Sequence, residues 1–400
     1  MNAVITCEHH FVRDAGSGVW TDGQLPYAFW TRYLSVFDSV RVLARVRDAT
    51  FLLPGLQPAS GPNVTFSAVA DYRGPEQYML QIASVAAATA KAVQNSDAVI
   101  LRVPGRLGSC VEGHLRKMKR PYAVEVVGDP YDVFAPQAVR HPFRPFFRWW
   151  FTRSLRRQCA GACAAAYVTR HALQRRYSPN PKAFSTHYSS IELPKTAFVS
   201  EPRSSPPNGA AKLIFVGTLA QLYKAPDILI DAVAECVRDG LNVELVLVGS
   251  GRCQPELESR AAALGLRRRI RFRGQLTTAE AVRGELDRAD LFVLPSRQEG
   301  LPRAMIEAMA RALPCIGSTV GGFPELVPAQ DLVAPGDAAA LARKIREVIA
   351  DPDRIAQMSA RNLAKAMEYS DATLSGRRQE FYRHLKMCNE AWILGRQWLR

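Results

Sequence analysis

The stretch LFVLPSRQEGLPRAMIEAMARALPCIGS, residues 291–318, places a helix-like pattern between two short apolar runs. The runs are 291–296 and 314–318, and between them the apolar residues recur at helical spacing, on one stripe made of Met305, Ile306, Met309 and Leu313. Pro302 suits the first turn of such a helix because its missing N–H would have no partner there. Apolar strands joined by an amphipathic helix indicate a parallel sheet that is covered on both faces.

The same alternation of apolar runs and helical patterns extends over the rest of the chain. In the second half the other runs are KLIFVG (212–217), VELVLVG (243–249), IRFRG (270–274) and DLVAP (331–335). In the first half they are NAVITC (2–7), VRVLARV (40–46), DAVILRV (97–103), YAVEVVG (122–128) and AAAYVT (164–169). The pattern predicts an α/β protein with two Rossmann-like, doubly wound domains that face a cleft.

One segment separates the two halves. Residues 201–210, EPRSSPPNGA, are dense in Pro, Ser, Gly and Asn, as interdomain linkers are. We therefore predict an N-terminal domain over 1–200, a linker at 201–210 and a C-terminal domain over 211–375. The segment 376–400 is helical in pattern, and we expect it to cross back to the N-terminal domain.

Composition excludes several classes of protein. Of the 400 residues 48% are hydrophobic and 22% are charged, which is typical of a folded chain that is not embedded in a membrane. The chain shows neither a membrane-spanning stretch nor a secretion signal at its start, so we expect a cytoplasmic protein. Its eight cysteines form no CxxC pair and no His cluster accompanies them, so we expect reduced thiols and no metal.

Three short patterns have simpler explanations than a cofactor site. DPD (351–353) resembles a metal-binding pattern, but it lies between two helical segments, where Asp and Pro start the second one. GSG (249–251) lacks the third glycine of a dinucleotide fingerprint, and no GxxxxGK[ST] is present. The sequence therefore argues against hydride transfer and against a phosphate-loop nucleotidase.

The net charge of +15 is concentrated in one region. Residues 133–191 contain no Asp or Glu, and within them 140–157 interleaves six arginines with six aromatic residues. Such a segment suits an anionic membrane surface, where rings lie at the level of the headgroups and guanidinium groups contact phosphates. The alternatives are a solvated helix whose aromatic side chains pack into the core, and a nucleic-acid site, although no nucleic-acid module accompanies the charge. We expect a peripheral position at the inner face of the plasma membrane and no nucleic-acid partner.

The loop RQEG after the strand 291–296 carries the first candidate site. In an open parallel sheet ligands bind beyond the carboxyl ends of the strands, so we expect Glu299 to project from this loop and Glu307 to reach the same ligand from the helix. Two carboxylates accept hydrogen bonds from sugar hydroxyls, and the N–H groups of Gly300 and Leu301 at the positive helix end suit a phosphate. The alternative is that Glu299 only starts the helix and that Glu307 pairs with a surface arginine, Arg303 or Arg311.

Two neighbouring loops favour the site over that alternative. Lys224 follows the strand 212–217, just before a helix that opens with Pro226, where an ammonium group can neutralise phosphate oxygens. Gly321 and Gly322 follow the strand 314–318 and permit close backbone approach, and Glu325 comes after them. Together the three loops predict a site for a charged, hydroxylated ligand.

These segments resemble the nucleotide-sugar half of the family 4 retaining glycosyltransferases of the GT-B fold. The resemblance covers roughly 211–350 and rests on VGTLAQLYKAPDILIDAV, LVGSG and PSRQEGLPRAMIEAMARALPCIGSTVGGFPELV. The hallmark of the family is a glutamate, seven residues and a second glutamate, which Glu299 and Glu307 match. The resemblance implies a transferase that uses a nucleoside diphosphate sugar and no metal or other cofactor.

The resemblance also implies roles for individual residues. Lys224 would hold the donor diphosphate, Glu299 the hydroxyls of the transferred sugar and Glu307 the ribose, while the loop that starts at Gly274 would lie against the base. The donor-binding set is completed by Gly300, Leu301 and Arg303.

This sequence departs from the family at Thr218. The family usually has a basic residue in this loop that shares the phosphate with the lysine. We hypothesise that Arg303 or Arg297 compensates for it.

The first domain resembles polysaccharide-assembly members of the family more loosely, and it would bind the acceptor. Gly23 would bring backbone close to the diphosphate. Asp129, with Gly128, occupies a place where many relatives carry a histidine near the reacting sugar, so Asp129 joins Glu299 and Lys224 as a catalytic candidate. His9 and His10 follow the first predicted strand and are either cleft-facing groups or ordinary polar loop residues.

The function that the sequence predicts is transfer of a hexosyl group, with retention, to a saccharide or lipid-linked saccharide in the assembly of cell-surface polysaccharide or glycolipid. A nucleotide-sugar epimerase or a phosphorylase on the same fold is one alternative. A catalytically silent sugar- or lipid-binding subunit is another. The sequence names neither the sugar nor the acceptor.

Overall fold

A computed structural model gives the structure of the chain, which divides into two compact units. Unit 1 comprises Met1–Pro130, Phe146–Tyr188 and Ser375–Arg400, and unit 2 comprises Tyr131–Pro145 and Ser189–Leu374. The structure describes residues 1–16, 18–22, 25–52, 54–95, 97–135, 141–203 and 209–397. Five residues of the predicted linker, 204–208, lie outside these ranges.

Unit 1 is built on one sheet, and nine of its strands fall in the described ranges. Seven of them are parallel neighbours in the order β5-β3-β1-β6-β7-β8-β9, and β2 and β4 add an antiparallel extension at the end of β1. The strands are β1 Ala3–Arg13, β2 Val19–Thr21, β3 Val40–Asp48, β4 Gln57–Pro58, β5 Val64–Val69, β6 Ala98–Val103, β7 Ala123–Val126, β8 Ala164–Tyr167 and β9 Phe184–His187.

Helices cover this sheet because its central strands are apolar on both faces. Val4, Leu101 and Val124 are fully buried in one core cluster with residues of the flanking helices. The helices of this part of the chain are α1 Tyr27–Thr31, α2 Gly74–Ala92, α3 Arg106–Lys117, α4 Pro130–Val133, α5 Arg144–Gly161 and α6 Ala172–Arg176. Residues 131–133 of α4 and 144–145 of α5 belong to unit 2.

Unit 2 contains a second parallel sheet, whose order is β12-β11-β10-β13-β14-β15. The chain starts in the middle of this sheet, runs to one edge and then returns to the other side, as in a dinucleotide-binding Rossmann sheet. Its strands are β10 Ala211–Val216, β11 Val243–Val248, β12 Ile270–Gly274, β13 Leu291–Leu294, β14 Cys315–Ser318 and β15 Leu332–Val333. Its helices are α7 Pro226–Arg238, α8 Gln254–Ala263, α9 Ala279–Asp287, α10 Arg303–Ala310, α11 Ala338–Ile349 and α12 Pro352–Met367.

The last helix, α13 Asp371–Gln397, starts in unit 2 and belongs to unit 1 from Ser375 onward. Within unit 1 its Tyr382 ring lies 4.8 Å from the ring of Tyr33, and both side chains are fully buried.

The α/β class and the two Rossmann-like sheets that the sequence predicts are confirmed. The four apolar residues predicted for the buried stripe of α10 are all fully buried. The predicted start of that helix is one residue early, because Pro302 has φ −75° and ψ 92° and only precedes it. The strands β2, β4, β5 and β9 have no counterpart in the predicted set.

Two further predictions change in detail. β1 continues to Arg13, so His9 and His10 lie inside the strand and not in a loop after it. At 351–353, Asp351 accepts a hydrogen bond from the N–H of Arg354 and caps α12, which confirms that this segment is a helix start.

The basic and aromatic segment forms α5, and several of its rings are exposed. Phe146, Trp149 and Trp150 are 52%, 57% and 44% exposed. These three rings therefore do not pack into the core. Among the described residues no helix has the length and apolar character that crossing a bilayer requires.

Candidate functional site

The three loops singled out in the sequence leave neighbouring strands of unit 2. β10, β13 and β14 are adjacent and parallel, so the loops after them emerge at the same edge of the sheet. Lys224 ends a short 3₁₀ helix, Leu222–Lys224, and Ala225 turns the chain into α7 with a left-handed φ of 56°.

The structure brings Lys224 and Glu299 together. Lys224 Nζ donates to Glu299 Oε2 over 3.0 Å, and each side chain is 14% exposed. The two residues are 75 positions apart in the sequence and come from different loops. A charge-assisted hydrogen bond between partly buried groups at the carboxyl edge of a sheet defines a polar site with a fixed geometry.

A second ion pair holds the loop that carries Lys224. Arg297 contacts Asp227 with distances of 2.9 and 2.6 Å, and its Nη1 also donates to the carbonyl oxygen of Leu222. The backbone N–H of Arg297 donates to the carbonyl oxygen of Tyr223 over 2.7 Å. Arg297 therefore fixes the Lys224 loop against the Glu299 loop, and its guanidinium group is occupied by Asp227.

The glycine pair after β14 supports the Glu299 loop from the other side. The N–H of Gly322 donates to the carbonyl oxygen of Gly300 over 2.7 Å. Gly321 has a left-handed φ of 54°, and a Cβ atom there would lie 1.9 Å from the carbonyl oxygen of Glu299. Close backbone approach, which the sequence predicted for these glycines, is thus confirmed.

Glycines also shape the support of Lys224. A Cβ atom at Gly217 would lie 2.5 Å from Cδ of Lys224, so the stem of the lysine passes directly over this residue. Gly249 and Gly251 of the GSG segment approach the same loop. A Cβ atom at Gly249 would lie 1.9 Å from the oxygen of Gly217, and one at Gly251 would lie 2.0 Å from the nitrogen of Ala220. The glycines of GSG therefore allow this segment to pack directly against the backbone of the loop that carries Lys224.

Glu307 is a half-buried carboxylate without a hydrogen-bond or ion-pair partner among the described residues. Burial raises its pKa above the usual 4.5, against the opposing effect of the nearby cations Arg303, Arg283 and Lys224. The alternative that it pairs with Arg311 is wrong, because Arg311 is bound to Asp287 at 2.7 and 2.8 Å.

The start of α10 leaves donors unused. The backbone N–H groups of Gly300, Leu301 and Arg303 have no acceptor within the described part of the chain. The Arg303 side chain is exposed and also lacks an ion-pair partner in that part of the chain. Unpaired N–H groups and a positive helix end suit an anion.

The remaining candidates of unit 2 have local roles in the structure. Thr218 Oγ1 accepts from the N–H of Ala220 over 3.1 Å and so shapes its own turn. Gly274 ends β12 with a left-handed φ of 69°, and its oxygen accepts from the N–H of Gly249 over 2.9 Å. Glu325 lies in a short 3₁₀ helix, Phe323–Glu325.

Gly23 and Asp129 are candidates that belong to unit 1. Gly23 lies outside the described residues. Asp129 is buried, with one carboxylate oxygen bound to Arg176 and the other to the hydroxyl of Tyr177, a set of partners typical of a structural ion pair. Its catalytic assignment stays a prediction.

The two histidines of β1 also have partners. His9 Nε2 lies 2.9 Å from Thr21 Oγ1, and His10 Nδ1 is bound to the Asp71 carboxylate. Burial lowers the pKa of His9. His10 and Asp71 line a pocket of about 220 Å³.

Sequence reasoning missed the positioning roles of Asp227 and Gly217. Both could have been noticed, because Asp227 follows Pro226 in the first turn of α7 and Gly217 directly follows β10, the strand before Lys224. Which partners they contact depends on how the loops fold over one another.

Comparison with solved structures identifies the class of fold. The sucrose-phosphate synthase of Thermosynechococcus elongatus superposes with a TM-score of 0.70 at 17% identity, covering 97% of this chain and 99% of its own. Alr3699/HepE of Anabaena, solved in complex with UDP-glucose, superposes with a TM-score of 0.64 at 17% identity, covering 95% and 98%. Both neighbours have the GT-B fold, with two Rossmann-like domains, and this chain has it too.

Sequence comparison finds relatives of the same class. Residues 210–351 match the family described as Glycosyl transferases group 1. The protein CapJ of Staphylococcus aureus is 25% identical over 340 residues, which is 81% of this chain and 80% of the relative. A GDP-mannose-dependent monoacylated α-(1-6)-phosphatidylinositol monomannoside mannosyltransferase of Corynebacterium glutamicum is 30% identical over 229 residues, 52% of this chain and 58% of the relative. These matches support a glycosyltransferase of the GT-B fold that is similar to family 4.

Proposed function

We propose that this protein is a retaining glycosyltransferase that moves a hexosyl group from a nucleoside diphosphate sugar to a saccharide or a lipid-linked saccharide. The observation that carries the proposal is the Lys224–Glu299 pair, in which a cation and a carboxylate from separate loops meet over 3.0 Å. The relatives fit this class of donor and acceptor, since one is named for GDP-mannose and a phosphatidylinositol mannoside and one neighbour was solved with UDP-glucose.

Each group has a distinct part in the proposed reaction. The Lys224 ammonium stabilises the negative charge that grows on the departing diphosphate, together with the N–H groups of Gly300 and Leu301 at the start of α10. Glu299 accepts hydrogen bonds from hydroxyls of the transferred sugar and fixes its orientation. Glu307 accepts from the ribose hydroxyls. The acceptor hydroxyl enters on the face from which the diphosphate leaves, so no residue has to become covalently attached.

Arg303, which has no ion-pair partner among the described residues, is the candidate for the cation that is missing at Thr218. Of the two arginines hypothesised for this part, Arg297 is bound to Asp227, whereas Arg303 is exposed beside Glu307. We expect Arg303 to contact the diphosphate, and no metal ion to take its place.

A silent sugar-binding subunit is the second candidate, and the turn at Thr218 favours it because this loop brings no cation to the leaving group. Such a protein would bind the donor and transfer nothing. An epimerase or a phosphorylase would act on the donor alone or require phosphate.

Two measurements separate these functions. A thermal-shift screen against UDP-, GDP- and ADP-sugars identifies the donor, because a ligand at a hundredfold excess over its dissociation constant adds about 2.7 kcal/mol of stability. Transfer from that donor to lipid-linked saccharides is then measured for the parent and for Lys224→Met. Loss of one group that stabilises a developing charge lowers kcat by about 10² to 10³.

The matched control is Lys344→Met. Lys344 donates to Glu347 over 2.6 Å in a similar pair with a 19% exposed lysine, but on the surface of α11. Its loss should leave kcat unchanged. Donor binding without transfer in the parent protein would establish the silent subunit, and equal losses in both variants would refute the role of Lys224.

We also propose that the segment 140–157 attaches the protein to an anionic membrane surface, where a lipid-linked acceptor is found. Arg140 lies outside the described residues. Replacing Arg144, Arg148, Arg153 and Arg156 by Ser should abolish sedimentation with anionic liposomes, and unchanged sedimentation would refute the attachment.

A further inference from the structure

A small pocket opens between α3 and α5 in unit 1, on the surface with the exposed tryptophans. Its volume is about 210 Å³, and its lining comprises Arg106, Ser109, Cys110, Trp149, Trp150, Arg153, Ser154 and Arg157. Neither the predicted donor site nor the histidine pocket shares any of these residues. The lining contains three arginines and no acid.

Two of the three arginines have unused donors. Arg106 Nη2 donates to the hydroxyl of Tyr78 over 2.6 Å, but its Nε is buried and has no partner among the described residues. Arg153 is exposed and has no ion-pair or hydrogen-bond partner in the described part of the chain. Arg157 is the exception, since its Nη2 donates to the Glu112 carboxylate over 2.8 Å.

The polar groups beside the arginines are already satisfied. Ser109 Oγ lies 3.1 Å from Ser154 Oγ and accepts from Gln158 Nε2 over 3.2 Å. Among the described residues, the Arg153 guanidinium group and the remaining N–H groups of Arg106 are therefore the lining groups with capacity for a ligand. A guanidinium group binds phosphate oxygens through a planar pair of N–H donors.

The rim of the pocket is apolar. The Phe146 ring packs on Trp149 and Trp150 with centroid distances of 6.1 and 5.8 Å, and all three rings are about half exposed. The neighbouring helix α2, which reaches Arg106 through Tyr78, also exposes large apolar side chains, with Met79 71% and Leu80 87% exposed. Water is a poor environment for so many exposed apolar groups, and the headgroup region of a bilayer accommodates both rings and arginines.

We propose that this pocket binds the phosphate of an anionic phospholipid headgroup, with Arg106 and Arg153 as the phosphate-binding residues and Trp149 and Trp150 inserted at the level of the headgroups. The proposal rests on the membrane contact proposed above and gives it a defined site. Charge complementarity favours a lipid over an apolar partner, and the aromatic rim favours a lipid over a free phosphate.

The test is co-sedimentation of the full chain with phosphatidylcholine vesicles that contain phosphatidylglycerol. The double variant Arg106→Gln/Arg153→Gln should weaken binding about a hundredfold, since each loses a hydrogen bond to a charged group. The control is Arg116→Gln/Lys117→Gln, which removes the same charge from the other end of α3. That end lies about 15 Å away. Because this exceeds a Debye length of about 8 Å at physiological salt, the control should lose at most about threefold.

Two further arms separate phosphate recognition from surface charge. Vesicles made equally negative with oleate carry carboxylates in place of phosphatidylglycerol, and they should bind the parent protein at least about tenfold more weakly if the pocket selects phosphate. Glycerol phosphate in solution should not displace the protein from phosphatidylglycerol vesicles, because it lacks the apolar layer into which the rings insert.

Equal losses in the double variant and in its control would overturn the pocket while leaving membrane attachment in place. A parent protein that ignores phosphatidylglycerol vesicles would overturn both. Neither outcome bears on the glycosyltransferase proposal. That proposal is tested without vesicles, by thermal shifts with nucleoside diphosphate sugars. Circular dichroism verifies that each variant is folded, and Arg153→Gln alone, on an exposed residue, serves if Arg106→Gln destabilises the chain.

Discussion

The two charged regions of this protein are built differently. In unit 2 the charges of Lys224 and Glu299 are paired and lie on loops that touch through their backbones, with Gly321 packed on the Glu299 carbonyl group. In unit 1 Arg106 and Arg153 lie on two helices, have N–H donors without partners among the described residues, and have exposed rings beside them. A site made of loops therefore depends on its glycines, whereas a site on helix surfaces depends on its side chains.

The largest effect is expected at Gly321. Gly321→Ala introduces a Cβ atom 1.9 Å from the Glu299 oxygen at a left-handed φ, so overpacking and backbone strain together should cost about 3 kcal/mol of stability. Urea unfolding measures it. The control Gly336→Ala has a φ of 84° and nothing within 4 Å, so it carries the strain without the contact and should cost about 1 kcal/mol. Equal costs would show that the loop contact contributes nothing.

A smaller effect, on donor binding, is expected at Glu307. Glu307→Gln exchanges a carboxylate that has no partner among the described residues for a neutral amide, and the donor KM should rise about 10- to 100-fold, because a hydrogen bond to a charged group is lost. Steady-state kinetics measures the change. The control Glu347→Gln alters an exposed carboxylate paired with Lys344 and should leave KM unchanged.

The same variant has a pH signature. Because the pKa of Glu307 is raised in the folded state, the folded protein binds the proton more tightly than the unfolded chain does. Protonation of Glu307 therefore adds to the free energy of unfolding. This contribution is fully present below the unfolded pKa near 4.5 and is lost as pH rises through the folded pKa. The Glu307→Gln variant has no carboxyl group at this position, so its free energy of unfolding does not fall over this pH range for that reason. Its unfolding midpoint relative to the parent should therefore rise as pH increases from 4.5 toward neutrality, and a constant difference would contradict the raised pKa.

Gly217→Ala should act mainly through Lys224. The added Cβ atom would lie 2.5 Å from Cδ of the lysine, which is flexible and can move, so kcat should fall about tenfold while stability changes little. The control Gly284→Ala places its Cβ atom no closer than 3.7 Å to Arg288. Kinetics and thermal unfolding of both variants measure the effect, and an unchanged kcat would mean that the position of Lys224 does not limit the reaction.

The smallest effect on stability is expected in unit 1. Trp149→Ala removes a ring that is 57% exposed, and the unfolding free energy should stay within about 0.5 kcal/mol of the parent. Denaturant titration measures it. A loss of several kcal/mol would show that the ring belongs to the core, and the contrast between the two regions would fail.

Sequence alone predicted the fold class for an identifiable reason, whereas the donor-side roles of individual residues stay predictions. Apolar strands in a parallel sheet form continuous runs, so β10, β11 and β13 stand out from the polar segments around them. The short strands β2 and β4 were missed because two or three residues at a sheet edge need no such run. Their pairing on β1 is a property of the assembled sheet.

By itself the sequence determined which chemical groups follow which strands, because the parallel arrangement brings the loops of β10, β13 and β14 to one edge. It did not determine how those groups are paired. The tertiary structure decides these pairings. It brings Lys224 to Glu299 and Arg297 to Asp227, and it leaves Glu307 without a partner among the described residues. Hydrogen bonds act over about 3 Å, and positions at that precision depend on how whole loops pack. Exposure of the α5 rings was decided in the same way, since a helical pattern does not say which face its neighbours will cover.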